Sequence, residues 1–256
     1  MTAENFFLYI IVFLYGIIIG SFLNVCIYRI PKGESIVTVG SHCMECGHPL
    51  KWYDLFPLFS FLFLRGKCRY CGTKLSFQYP LIEAFNGVLY VWTFAAKGFG
   101  VESVLFCLLF SDLLVLSVID LRTMKIPFAG ELFVLLIGMI VTVLHYKDWM
   151  NYILGFVFCG GFLLIISVLF FLLRHKNGLG LGDIELMAFV GLCLGFFPGL
   201  FAIVIGSVSG VFVEICKILK TKKNGRFPLV PYLSAGIFFA ALYGQSFYDW
   251  YLHLVL

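Results

Sequence analysis

The sequence predicts an all-α polytopic membrane protein with about eight transmembrane helices, and three observations predict it. Of 256 residues, 61% are hydrophobic and only 12% charged, about half the charged fraction of a soluble domain. The apolar residues collect into stretches close to the roughly 20 residues that cross hydrocarbon. The basic residues, 16 of the 18 Lys and Arg, fall in alternate loops between those stretches. The net charge of +4 therefore reads as membrane topology, and no nucleic-acid partner is expected.

The first span covers 5–28. It lacks a basic leader, and Gly16-Ile17-Ile18-Ile19-Gly20 offers a small-residue packing face, so a packed helix is expected there rather than a cleavable signal. A long polar loop occupies 29–80. The later spans fall at 81–97, 102–120, 128–145, 151–173, 184–198, 199–217 and 229–247, with the sixth shortened because Pro198-Gly199 interrupts its apolar run. The loops after odd-numbered spans, at 29–80, 120–127, 174–182 and 217–228, hold the 16 cations, against Lys97 and Lys147 on the opposite face. Positive charge stays inside. The long loop, Asp120 and Asp183 are therefore expected on the cytoplasmic side, with both termini across the membrane. Glycines four apart at Gly16/Gly20, Gly191/Gly195/Gly199 and Gly206/Gly210 predict close helix packing. No internal repeat suggests a transporter's halves.

Within the loop, Cys43-Met44-Glu45-Cys46 and Cys68-Arg69-Tyr70-Cys71 form two knuckles separated by 21 residues. Two such knuckles suit four thiolates around one tetrahedral zinc ion, a closed structural site with no position left for water. A reducing cytoplasm favours thiolates over disulfides; a redox pair or an iron–sulfur site are the alternatives. Gly47 and Gly72 follow the knuckles, where a tight turn needs them. His42 and His48 are spare ligands that two complete cysteine pairs do not require. Metal ligation is expected to supply much of the folding energy of a small zinc-binding domain over 29–80. Cys26, Cys107, Cys159, Cys193 and Cys216 occur singly in apolar stretches and read as packing. His145, His175 and His253 form no cluster.

Asp120 ends the third span, before Leu121-Arg122-Thr123-Met124-Lys125-Ile126-Pro127, where Pro127 breaks the helix. Asp183 follows Gly178-Leu179-Gly180-Leu181-Gly182, and the helix it opens presents amide groups that support a carboxylate. A carboxylate at a membrane boundary is costly unless water, a hydrogen bond or a function keeps it there. Two that face one another share a proton, and such a pair can hydrolyse a peptide. The plainer reading makes each a boundary or capping residue. Asp112 lies eight positions before Asp120, two turns and about 80° around the helix, so the two do not form one stripe. Glu83 reads as a helix-start acid, with a substrate-contact or methyl-transfer role as the alternative. Glu131, Glu185 and Glu214 also approach spans, with Glu214 near Lys217. Nothing groups a nucleophile, a histidine and an acid for a serine or cysteine mechanism.

Taken in order, Gly20-Ser21-Phe22-Leu23-Asn24-Val25, Tyr28-Arg29-Ile30-Pro31, the two cysteine knuckles, Tyr79-Pro80-Leu81-Ile82-Glu83, Ile119-Asp120 with Ile126-Pro127, and Gly180-Leu181-Gly182-Asp183 run across nearly the whole chain. In this order the chain resembles the prepilin leader peptidases, membrane aspartic proteases of the GxGD class. The resemblance implies that Asp120 and Asp183 are the catalytic pair. It implies substrates like type IV prepilins and pseudopilins, whose basic leader precedes a hydrophobic helix and is cut after a glycine at the cytoplasmic face of a prokaryotic inner membrane. It further implies N-methylation of the new N-terminal residue with S-adenosylmethionine as methyl donor, an activity associated with the cysteine-containing loop; no residue is assigned to the donor. On this view 1–28 is a first spanning helix, 29–80 the zinc loop domain and 81–256 the peptidase. Two departures stand out: Glu185 replaces a lysine usual two residues after the GxGD aspartate, and Phe128 replaces an acid usual after Ile-Pro. A leader peptidase without effective methylation, a proton-relaying transporter built on Asp112, Asp120 and Asp183, and a zinc-supported assembly protein that binds pilin precursors uncut are the alternatives.

Overall fold

The computed structural model of the chain describes residues 3–175, 178–221 and 227–255. Lys176, Lys222, Lys223 and Arg226, four of the cations used to orient the spans, lie outside the described residues. Among the described residues the fold is all-helical, with two isolated β-bridges in the cysteine loop. The helices are α1 (Ala3–Arg29), α2 (Phe59–Phe63), α3 (Gln78–Lys97), α4 (Val101–Thr123), α5 (Phe128–Leu144), α6 (Trp149–Arg174), α7 (Leu181–Leu194), α8 (Phe196–Thr221) and α9 (Val230–Val255). Eight of them coincide with the eight apolar stretches. Among the described residues four segments are long and apolar enough to cross a membrane: Phe6–Lys32, Val101–Thr123, Tyr146–Arg174 and Phe196–Lys220. Phe128–Leu144 is apolar but shorter. α3 and α9 have the length, at 20 and 26 residues, with more polar sequences, and α7 has 14 residues.

Prolines mark where these helices start. Pro80, Pro198 and Pro231 each sit in the first turn of α3, α8 and α9, where a missing N–H costs no hydrogen bond. The break expected at Pro198-Gly199 is therefore displaced. It falls at Gly195, which ends α7 with φ +82°, a conformation that side chains resist. Asn151 Oδ1 then accepts the Phe196 N–H at 3.2 Å and caps α8. Gly191, Gly195 and Gly199 consequently do not share one helix face, although each is a close-contact point.

The chain divides into two compact units, Met1–Ser111 and Asp112–Leu256, and the division falls inside α4. In the first unit α1 packs on α3 through the expected glycines. A Cβ at Gly16 would lie 2.7 Å from Gly87 Cα, and one at Gly20 would lie 2.8 Å from Glu83 Cα. Such contact brings polar backbone within reach of side chains, which apolar surroundings reward. Asn86 Nδ2 donates to Gly16 O at 2.8 Å, and Ser111 Oγ donates to Asn86 Oδ1 at 2.9 Å.

The second unit is built the same way. α6 meets α7 backbone to backbone at Gly155 and Gly191, and α8 meets α9 where Gly206 faces Leu233 and Gly236 faces Ala202. Ser117 on α4 donates to Ser234 on α9 at 2.9 Å. The four lone cysteines Cys26, Cys107, Cys159 and Cys193 are buried, as packing requires; Cys216 is exposed.

Candidate active site and metal centre

Asp120 lies near the end of α4 and is 5% exposed. Its Oδ2 accepts the Val230 N–H at 3.1 Å, from the first residue of α9, with the Leu229 N–H beside it. A helix N-terminus has unpaired amides and partial positive charge, so it is a natural seat for a carboxylate. Asp183 stands in the first turn of α7, its carboxylate against Gly180. The Asp120 charge is felt at Asp183. Helices far apart in the chain thus bring Asp183 within reach of the Asp120 charge.

Two further carboxyls lie near Asp183. Glu131 on α5 is 3% exposed and feels the charges of Glu185 and Asp183. Gly182 is where this arrangement demands glycine: a Cβ there would lie 2.8 Å from Glu131 Oε1 and 3.2 Å from Ile126 Cβ. The second glycine of Gly180-Leu181-Gly182-Asp183 therefore lets α5 approach the turn that carries Asp183.

Asp112 stands apart. Its Oδ1 faces Gly130, and its buried Oδ2 has no hydrogen-bond partner among the described residues. Glu83 does not serve as a plain helix-start acid. It is buried in α3 and its Oε2 accepts the Leu58 N–H at 2.8 Å. Glu214 pairs with Lys217 at 3.4 Å, the boundary charge pattern the sequence suggests.

In the cysteine loop, the Sγ atoms of Cys43, Cys46, Cys68 and Cys71 all lie within 4.8 Å of one another. A tetrahedron with metal–sulfur bonds of about 2.3 Å has sulfur–sulfur edges of about 3.8 Å. The Cys43–Cys71 separation is 3.8 Å. The donor set fits a tetrahedral metal ion. Both knuckles are built alike: Gly47 N–H donates to Cys43 O at 2.9 Å and Gly72 N–H to Cys68 O at 3.0 Å. Both glycines have positive φ, +67° and +72°, as the tight turns require. The bridges His42–Pro49 and Lys67–Lys74 close the two knuckles.

The thiols do not ionise alike. Cys71 is drawn down to about 6, chiefly by its hydrogen bond with the Thr73 hydroxyl, and Cys43 is lowered by the N–H groups of Cys46 and Glu45. Cys46 goes the other way, to about 11. The His48 N–H opposes that shift, while burial and the neighbouring Cys43 and Cys71 drive it. Four thiolates together need a cation among them. Neither histidine joins the set: His42 Nδ1 pairs with Gly40 O at 3.1 Å, and the His48 ring lies 3.7 Å from that of Tyr70. Arg69 and Tyr70, inside the second knuckle, bind Asp54 at 2.7 and 3.2 Å. Burial alone would raise Asp54, but the Arg69 guanidinium and the Lys51 N–H hold it below the usual carboxylate range.

Family models cover both regions. The bacterial peptidase A24 N-terminal domain model matches residues 14–96, and the type IV leader peptidase family model matches residues 107–215. A prepilin leader peptidase/N-methyltransferase of Bacillus subtilis (strain 168) is 33% identical over 96% of this chain and 98% of its own length. Proteins of the same description from Aeromonas hydrophila and Pseudomonas putida are 32% and 30% identical, over 94% and 91% of this chain and 93% and 90% of their own. The chain belongs to the type IV leader peptidase family. No solved structure matches it. The second matched region includes Asp112, Asp120, Glu131, Asp183 and Glu185, whereas α9, whose first amide holds Asp120, lies beyond it.

Glu185 lies within electrostatic reach of Glu131, which stands about one turn beyond Phe128 on α5. Sequence reading listed Glu131 and gave it no role. It also missed the Leu229 and Val230 amides, although Phe227-Pro228-Leu229-Val230-Pro231 carries a helix-start signal in Pro231.

Proposed function

We propose that this chain removes short basic leaders from type IV prepilins or pseudopilins at the cytoplasmic face of a prokaryotic inner membrane, then methylates the new N-terminal residue. The observation that carries the reading is the Asp120–Asp183 pair, two carboxylates on different helices, with Asp183 in reach of the Asp120 charge. In hydrolysis the protonated member polarises the scissile carbonyl, and the ionised member takes a proton from the attacking water. The C–N bond breaks as the first member gives its proton to the leaving amine. The pair still holds one proton, now on the other carboxyl. The Val230 N–H fixes the Asp120 rotamer for this exchange.

The eight helices that match the apolar stretches act as eight spans, α7 being the shortest, with 1–28 as the first, 29–80 as the cytoplasmic loop domain and 81–256 as the peptidase. The basic loops then face the cytoplasm and both termini face the other side. A substrate's hydrophobic helix stays in lipid while its polar leader reaches the aspartates. Zinc on Cys43, Cys46, Cys68 and Cys71 would cross-link the knuckles and take no part in hydrolysis. The cysteines hold the loop against Asp54 through Arg69 and Tyr70, so the loop keeps one shape. Methyl transfer is supported by the description of the relatives. S-adenosylmethionine enters as a substrate: its S–CH3 bond breaks as the new amine takes the methyl group and gives up a proton, and S-adenosylhomocysteine leaves.

The test combines purified enzyme in lipid, a prepilin and methyl-labelled S-adenosylmethionine. The expected result is a shortened pilin that carries label on its N-terminal residue. A shortened pilin without label restricts the enzyme to cleavage, and an intact pilin contradicts the reading.

A further inference from the structure

The cysteine loop carries an apolar surface that neither the metal centre nor the aspartate pair uses. Between Lys51 and Lys67 runs Trp52-Tyr53-Asp54-Leu55-Phe56-Pro57-Leu58-Phe59-Ser60-Phe61-Leu62-Phe63-Leu64. This run is too short to span a bilayer, and its length is that of an interfacial or re-entrant segment. Phe59, Leu62 and Phe63 fall at i, i+3 and i+4 of α2 and therefore share one face. That face points away from the protein: Leu62 is 70% and Phe63 83% exposed, and Trp52, on the same segment, 78%. A contiguous patch of large apolar side chains marks a binding surface.

Two further observations identify the occupant. The first is charge. Residues 51–75 contain five Lys and Arg and a single acid, Asp54, and that acid is bound by Arg69. An apolar, aromatic-rich segment with cations beside it matches an anionic lipid surface. The second is placement. Leu58, at the N-cap of α2, has a positive φ of +59°, which a leucine resists. Its N–H is held by the Glu83 carboxylate. Glu83 lies just inside the expected span 81–97, so the segment is tied at the level where α3 enters the bilayer.

We infer that residues 52–64 form an interfacial anchor, laying Phe59, Leu62 and Phe63 into the anionic lipid leaflet from which α3 emerges. The anchor rests on the reading of α3 as a spanning helix. It holds the metal-bearing loop down on the membrane surface, the place where a substrate's leader leaves lipid. The apolar side chains enter to about 5–10 Å, and Lys51, Arg65 and Lys67 meet the lipid phosphates.

The experiment is fluorescence quenching of the full chain in phosphatidylglycerol-containing vesicles with spin-labelled lipids, using two variants. One retains only Trp52 of the four tryptophans; the other retains only Trp92, inside α3. The expected result is strong loss of Trp52 emission with the label near the headgroup and less with the label deep in the chain. Leu62→Glu with Phe63→Glu abolishes that loss, while Trp92 in the same background stays quenched. Trp92 quenched and Trp52 unquenched by every label overturns the anchor alone, and neither residue quenched overturns the spanning role of α3 as well. Trp52 emission that ignores lipid but shifts with a hydrophobic prepilin peptide also overturns the anchor, and assigns the patch to substrate.

Discussion

Asp120→Asn and Asp183→Asn each lower leader cleavage by about 10²–10⁴-fold, the range for losing a positioned acid or base, without reducing the amount of protein in the membrane. Asparagine has the size of aspartate, and its amide oxygen still accepts the Val230 N–H that holds Asp120. The fold is therefore preserved while the exchangeable proton is lost. Because the two carboxyls act as one unit, the double substitution costs little more than either single one. Asp112→Asn is the internal control. That side chain faces Gly130, and its Oδ2 has no hydrogen-bond partner among the described residues, so cleavage stays within a few-fold of normal. Rates from a defined prepilin, with immunoblots for abundance, check all four variants. Full cleavage by either single variant contradicts the assignment.

Cys43→Ser or Cys68→Ser has the second largest effect, on metal content and loop structure. Each removes one of four donors whose sulfur atoms lie within 4.8 Å of one another. Structural zinc binding in zinc-finger peptides is worth about 10–16 kcal/mol, and a loop with so few regular elements depends on it. Bound zinc, measured on protein purified in lipid, falls from one equivalent to near zero, and proteolysis within 29–80 becomes rapid. Methyl transfer falls with it, because the loop loses its shape. Cleavage persists, since Asp120 and Asp183 belong to the other compact unit. Unchanged zinc in both variants contradicts the metal assignment.

How much of this was legible in the sequence varied with the range of the interaction. The positions of the long helices followed from apolar runs, which are local. The cysteine set followed from two short knuckles, also local. The α7–α8 break was misplaced by a few residues because proline reads as a breaker, although Pro198 opens α8 and Gly195 ends α7. The two aspartates were singled out by their boundary positions and by the order of motifs around them. The Val230 amide on Asp120 was invisible, because it comes from 110 residues away and backbone donors leave no residue-type signature. Glu131 was visible only as one acid among several until Gly182 showed how closely α5 passes. The apolar segment at 52–64 went unread because it lies in a polar loop and is too short to register as a span.

The most direct test of the proposed shared proton is the pH dependence of single-turnover leader cleavage by the wild-type chain. A pair that must hold one proton works only between its two macroscopic ionisations. The rate therefore rises to an optimum and falls on both sides of it, with slopes near one proton on each limb. A rate that climbs with pH and holds a plateau with no alkaline limb contradicts the account, because one carboxylate alone would then suffice.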